Sequence, residues 1–146
     1  MSASGMTLLV ADADPAVRLA LQRLLERSGY RVCLAADGEQ ALAGLRRARP
    51  AMALLDTDMS PCGALEVLAE AGRLGILGDT RVVLLTARFR RSEWEEASRC
   101  GAEAMLSKPI SPADLLGRIQ EWTQTAPTRA AGEAPAAAMR APDPEV

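Results

Sequence analysis

The sequence predicts an α/β fold: an open, doubly wound sheet of five parallel strands flanked by five helices. Three observations predict it. Short unbroken apolar runs recur at Leu8–Val10, Met52–Leu55 and Val82–Leu85, and such runs suit central strands covered on both faces. Stretches with helical spacing of apolar residues lie between them. Strands separated by helices of that length imply parallel pairing through right-handed crossovers.

The elements follow in chain order. After Leu8–Val10, Asp14 is placed to cap a helix and Pro15 to open it. Val17, Ala20, Leu21, Leu24 and Leu25 form its apolar stripe, and Gly29 suits its left-handed stop. Tyr30–Ala35 reads as a weaker strand. A second helix is expected over Glu39–Arg49, ending before Pro50. Met52–Leu55 is the third strand, and a third helix follows Gly63. Val82–Leu85 is the fourth strand. A fourth helix is expected to start at Ser92, where Ser92 and Glu95 match a capping box. Glu103–Ser107 is the fifth strand. The last helix opens at Ser111-Pro112 and carries Leu115, Leu116, Ile119 and Trp122.

Three regions result: a flexible terminus over 1–5, one domain over 6–122, and a tail over 123–146. The tail has four prolines, many alanines and almost no large apolar residues, which reads as disorder. A linker towards an output domain is the alternative. With 146 residues, 49% hydrophobic and 25% charged, one core can form without metal or disulfide staples. Aromatics are only 3%, so Leu, Val and Ala carry the packing.

Composition removes several functions. The net charge is −2, which argues against a general electrostatic grip on nucleic acid. The chain has no His, so it has no His-based triad, no His metal site and no phosphohistidine of its own. Cys33, Cys62 and Cys100 are scattered without a CxxC pair. They read as small packing residues, with reduced thiols in a cytoplasmic location. No stretch of ~18 apolar residues points to a membrane span, and MSASGM shows no signal pattern. Arg46, Arg47 and Arg49 cluster on one helix, and Arg88, Arg90 and Arg91 near another. Such runs are usually solvated faces. The second cluster also borders a face that could meet an acidic partner.

Four polar residues sit at strand ends, where a doubly wound sheet presents its ligand site. Asp12 ends the first strand, Asp56 the third and Thr86 the fourth, and Lys108 follows the fifth. Singly, each has a plain structural reading: a surface acid, a loop acid, a cap, a solvated charge. Together they suit phosphoryl transfer. A carboxylate can attack phosphorus and become an aspartyl phosphate. The attack joins two anions and needs positive charge. Mg²⁺ on Asp carboxylates and a Lys ammonium supply it, and a Thr hydroxyl can bond a phosphoryl oxygen.

Over residues 6–122 the chain resembles the receiver domain of two-component response regulators, in its single-domain, CheY-like form. The resemblance rests on LLDTDM around Asp56, LLTAR around Thr86, LSKPIS around Lys108-Pro109, and the intervals between them. It implies a flavodoxin-like strand order 2-1-3-4-5 and a cis Lys108-Pro109 bond. It implies Asp56 as phosphoacceptor, with Thr86 and Lys108 contacting the phosphoryl group. It implies Mg²⁺ held by Asp12, Asp56 and the backbone carbonyl of Asp58. Thr86 and residue 105 would form the switch.

The pattern is broken in places. Ala13 stands where the family carries a second acid that contacts Mg²⁺, which puts metal affinity in question. Asp14 is nearby, but capping suits it better. Asp58 could add a carboxylate ligand, pair with Arg88, or be a loop charge. Ser60-Pro61 and Gly63-Ala64 replace the usual loop residues. Met105 replaces the usual aromatic switch residue, which predicts a weaker or rerouted signal.

The resemblance implies a chain that accepts a phosphoryl group from a sensor histidine kinase or a phosphotransfer protein. Phosphorylation would change the face of the fourth helix, fifth strand and fifth helix, which meets a downstream protein or a second copy of the chain. Phosphorylation would favour a pre-existing conformation. No direct nucleic-acid or membrane contact is expected, and no substrate turnover beyond self-modification. Two other readings stand beside this one. The chain could be a pseudo-receiver that binds partners without phosphorylation. Asp12-Ala13-Asp14 also resembles the DxD motif of haloacid dehalogenase-type phosphatases. That family needs a further acidic pair, and within the predicted domain only Asp114 and Glu121, on one helix, follow Lys108.

Overall fold

A computed structural model of the chain describes residues 5–60 and 62–124. The ten elements alternate: β1 Thr7–Ala11, α1 Pro15–Arg27, β2 Arg31–Ala35, α2 Gly38–Ala48, β3 Met52–Asp56, α3 Ala64–Leu74, β4 Arg81–Thr86, α4 Arg91–Arg99, β5 Ala104–Ser107 and α5 Pro112–Trp122. All strand pairs are parallel, in the order β2-β1-β3-β4-β5. The expected sheet and strand order are both present. Most of the sequence-predicted tail and of the terminal segment, residues 1–4 and 125–146, lies outside the described residues, as does Pro61.

The apolar runs explain the layers. β3 and β4 are buried along their whole length, and their side chains alternate between two cores. Leu9, Leu55, Leu84 and Met105 face one core with α2, α3 and α4, which includes Trp94. Leu8, Val10, Leu54, Val83 and Leu106 face the other, with Leu25, Leu115 and Ile119 of α1 and α5. That alternation is the period of two expected of a strand covered on both faces.

Most helix ends follow their capping residues. The Asp14 side chain accepts from the Ala16 N–H, and Ser111 accepts from the Asp114 N–H. Gly29 takes a φ of 98° just after α1. α2 begins earlier than expected because Asp37 caps it, accepting from the Gln40 N–H. The start of α4 is a correction: its N-cap is Arg90, with no side-chain cap bond, and Ser92 lies inside the first turn. The Trp94 N–H already bonds the Arg90 carbonyl at 3.1 Å, and Trp94 is 1% exposed. That bond closes the first turn before Ser92 could act as its cap.

The loop after β3 is tightly folded. A Cβ on Gly63 would stand 2.7 Å from the Thr57 carbonyl oxygen, and one on Gly38 would stand 2.5 Å from that of Cys62. Both contacts demand glycine, so the Gly63-Ala64 variation fits a loop that doubles back on itself. A cavity of about 560 Å³ opens at the amino ends of the strands, between Thr7, Arg49, Ala51 and Arg81. The strand-end carboxylates lie at the opposite end of the sheet.

Candidate functional site

Parallel strands bring their carboxyl ends to one edge, and backbone bonds fix each end. The Asp12 N–H donates to the Ala35 carbonyl at 3.1 Å. The Thr57 N–H donates to Leu85 at 2.9 Å, and the Lys108 N–H to Thr86 at 2.8 Å. Asp12, Asp56, Thr86 and Lys108 therefore arrive at the same edge from four different strands. The Lys108-Pro109 bond is cis, as the resemblance implies.

Three of the four side chains meet directly. The Lys108 ammonium lies 2.8 Å from Asp12 Oδ2 and 3.2 Å from Asp56 Oδ1. Asp12 is 1% exposed and Asp56 4%. Burying carboxylates is costly unless they are paired and hydrogen-bonded, and both are. Asp12 Oδ1 accepts from the Asp14 N–H at 2.9 Å, and Asp56 Oδ1 from the Asp58 N–H at 3.1 Å. For Lys108, burial works to lower the pKa. The hydrogen bond to Asp12, the charges of Asp56 and Asp12 and the hydrogen bond to Asp56 together outweigh it, and the pKa is raised.

Thr86 is buried at the same edge, but its hydroxyl is turned into the following loop. It donates to the Arg88 carbonyl at 2.9 Å and accepts from the Arg88 N–H at 3.2 Å. Met105 is fully buried in the core that includes Trp94. Asp14 is spent on capping. Asp58 is exposed, and among the described residues no ion pair joins it to Arg88. Arg46, Arg47, Arg88, Arg90 and Arg91 are exposed, as expected of solvated faces. The three cysteines are free and half-buried.

The donor set suits a divalent cation of the hard kind. Among the described residues, no three acidic, His or Cys side chains gather into one metal cluster. Mg²⁺ does not need three, since it keeps several waters and binds through one or two carboxylates. Asp12 and Asp56 provide two, and with one ammonium between them the site keeps a net negative charge. The residues present therefore fit Mg²⁺.

One residue of this region is not singled out by the sequence pattern. Arg18, in the first turn of α1, donates from Nη1 to the carbonyl oxygens of Asp12 at 2.7 Å and Ala13 at 3.3 Å. The available signal was a cation at the helix end whose dipole disfavours it.

Known proteins resemble the chain in both sequence and fold. The family described as response regulator receiver domain matches residues 8–120. The chain is 38% identical over 130 residues to the response regulator MprA of Mycolicibacterium vanbaalenii, covering 88% of this chain and 55% of that protein. It is 39% identical over 115 residues to MprA of Mycobacterium leprae, covering 79% of this chain and 50% of that one. The chain thus spans about half the length of these curated relatives. Among solved structures, a CheY-like receiver domain protein from Methanospirillum hungatei superposes with a TM-score of 0.77 at 27% identity. That match covers 82% of this chain and 94% of the other. The chemotaxis protein CheY4 of Vibrio cholerae gives 0.75 at 28%, covering 80% and 97%.

Proposed function

The chain belongs to the response regulator receiver domain family, and from that premise we propose that Asp56 accepts a phosphoryl group from a phosphohistidine on another protein. One observation carries the reading: Lys108 bridges Asp12 and Asp56, which lie on different strands and far apart in the sequence. A scaffold has no need of two buried carboxylates around a half-buried ammonium.

This chain's residues divide the work. Asp56 Oδ1 is engaged by Lys108 and the Asp58 N–H, which leaves Oδ2 to attack phosphorus. The new O–P bond forms as the donor's P–N bond breaks, and the imidazole leaves. Lys108 offsets the charge that accumulates on the phosphoryl oxygens. Asp12 and Asp56, with the Asp58 carbonyl, would hold Mg²⁺, which supplies further charge neutralisation. The Thr86 hydroxyl, released from Arg88, would bond a phosphoryl oxygen, so phosphorylation and the loop after β4 compete for one group. The consequence is a changed α4–β5–α5 face for a downstream protein or a second copy of this chain. The donor would be a sensor histidine kinase or a phosphotransfer protein, and the setting cytoplasmic. The chain would modify itself and turn over no substrate. Among the described residues no helix is long and apolar enough to cross a membrane.

Intact mass after incubation with acetyl phosphate and Mg²⁺ tests this. One added phosphoryl group is expected, absent in Asp56→Asn and with EDTA. The second reading, a phosphorylation-independent binding module, is favoured by Ala13 and by the buried Met105 in place of an aromatic. No adduct, together with no beryllofluoride binding, would select it.

The exposed Asp58 carboxylate adds negative potential at the rim. Asp58→Ala is expected to weaken Mg²⁺ binding by about two- to threefold at low salt, the scale of a screened surface charge. An unchanged calorimetric affinity would remove any part for that side chain.

A further inference from the structure

We propose that Arg18 is the positioning residue of this site, clamping the β1–α1 loop so that the Asp12 carboxylate faces Lys108 and Asp56. The proposal rests on the receiver function for its consequence, but not for its geometry.

The clamp works through a rigid peptide unit. The Ala13 carbonyl and the Asp14 N–H belong to one planar peptide group and point opposite ways. Arg18 holds the carbonyl side at 3.3 Å. The N–H side donates to Asp12 Oδ1 at 2.9 Å. The same Nη1 holds the Asp12 carbonyl at 2.7 Å. Fixing these two carbonyls fixes the orientation of the Asp12 side chain, whose other oxygen meets Lys108 at 2.8 Å.

Two further observations single out Arg18. Its guanidinium stands in the first turn of α1, the end where the helix dipole disfavours a cation. Among the described residues no carboxylate pairs with it. A half-buried cation in that position is held there by the two carbonyl bonds, which are the charge-assisted kind. Ala13 gives the clamp its importance. With no acid at that position, β1 contributes a single carboxylate to the site, so its placement has no substitute.

The test uses the full chain. Arg18→Met keeps the apolar stem and removes the donors. Mg²⁺ affinity by calorimetry is expected to fall about tenfold, the scale of losing an outer-shell partner. Hydrogen exchange at the Asp14 amide, read by NMR without metal, is expected to accelerate about tenfold, with strand amides unchanged. Arg18→Lys, which can reach one carbonyl, should recover part of both. In an Ala13→Asp background the affinity loss from Arg18→Met should shrink, because a second acid shares the cation. An unchanged Asp14 exchange rate, or an equal affinity loss with and without Ala13→Asp, would overturn the proposal. If the wild type binds no Mg²⁺ and gains no phosphoryl mass, the receiver function fails. The Asp14 exchange rate then still decides the clamp.

Discussion

Lys108→Met is expected to slow labelling of Asp56 by acetyl phosphate about 10²–10³-fold, the usual scale for removing one preorganised charge-stabilising donor. The same substitution is expected to tighten Mg²⁺ binding about tenfold. The two effects have opposite signs because Lys108 has two electrostatic roles. It stabilises the charge that develops on the phosphoryl oxygens. Before that, it occupies the field between Asp12 Oδ2 and Asp56 Oδ1, where a metal cation must compete with it. Calorimetry and the labelling rate separate the roles, and a variant that weakens both would contradict this account. The pH dependence has a definite sign. The Lys108 pKa is raised above the ordinary 10.5, so the folded state holds this proton more tightly than the unfolded state. Its contribution to stability is whole below pH 10.5 and is lost as pH climbs through the folded value. Burial also raises the Tyr30 pKa, so alkali weakens both proteins through that group. The gap in unfolding free energy between wild type and Lys108→Met should therefore stay level from neutral pH and close only in strong alkali.

Asp12, Asp56, Thr86 and Lys108 were legible in the sequence because each follows or ends an apolar run. A polar residue at the carboxyl end of a buried parallel strand reaches the ligand edge whatever the loops do. The strand order could be taken only from the resemblance, since alternation of strands and helices does not fix it. Which partner each side chain chooses was not legible. The Thr86 hydroxyl bonding to Arg88 is a choice among local acceptors, made by the turn after β4. Asp14 had two roles within reach, and the Ala16 N–H took it. Ser92 and Glu95 had the right spacing for a cap, yet the backbone bond from Trp94 to the Arg90 carbonyl already closes the first turn ahead of Ser92.

Arg81 and Glu103 were hidden for a related reason, because a charge at the start of a strand is ordinarily solvated. Here the two meet at 3.6 Å, and each side chain is 5% exposed. Burial lowers the Arg81 pKa, and Glu103 offsets part of that. Glu103→Ala is expected to cost about 3–5 kcal/mol, the scale of removing one member of a buried ion pair. Against a typical domain stability of about 5–15 kcal/mol, that lowers Tm by roughly 10–20 °C. Arg81→Met combined with Glu103→Leu should recover most of the loss, since an apolar pair avoids the desolvation of two charges. A Tm change of only a few degrees in Glu103→Ala would mean that the pair is hydrated. The pair closes β4 onto β5 at their amino ends, where the Glu103 N–H also donates to the Val82 carbonyl at 2.7 Å. At the other end of the same two strands, the Lys108 N–H donates to Thr86. Opposite ends of one short ladder thus carry the ion pair and two residues of the site. Below its melting temperature, Glu103→Ala should therefore label at close to the wild-type rate, because the upper end keeps its own bonds. A labelling loss as deep as that of Lys108→Met, in protein that is still folded, would show the two ends to be coupled through the strands.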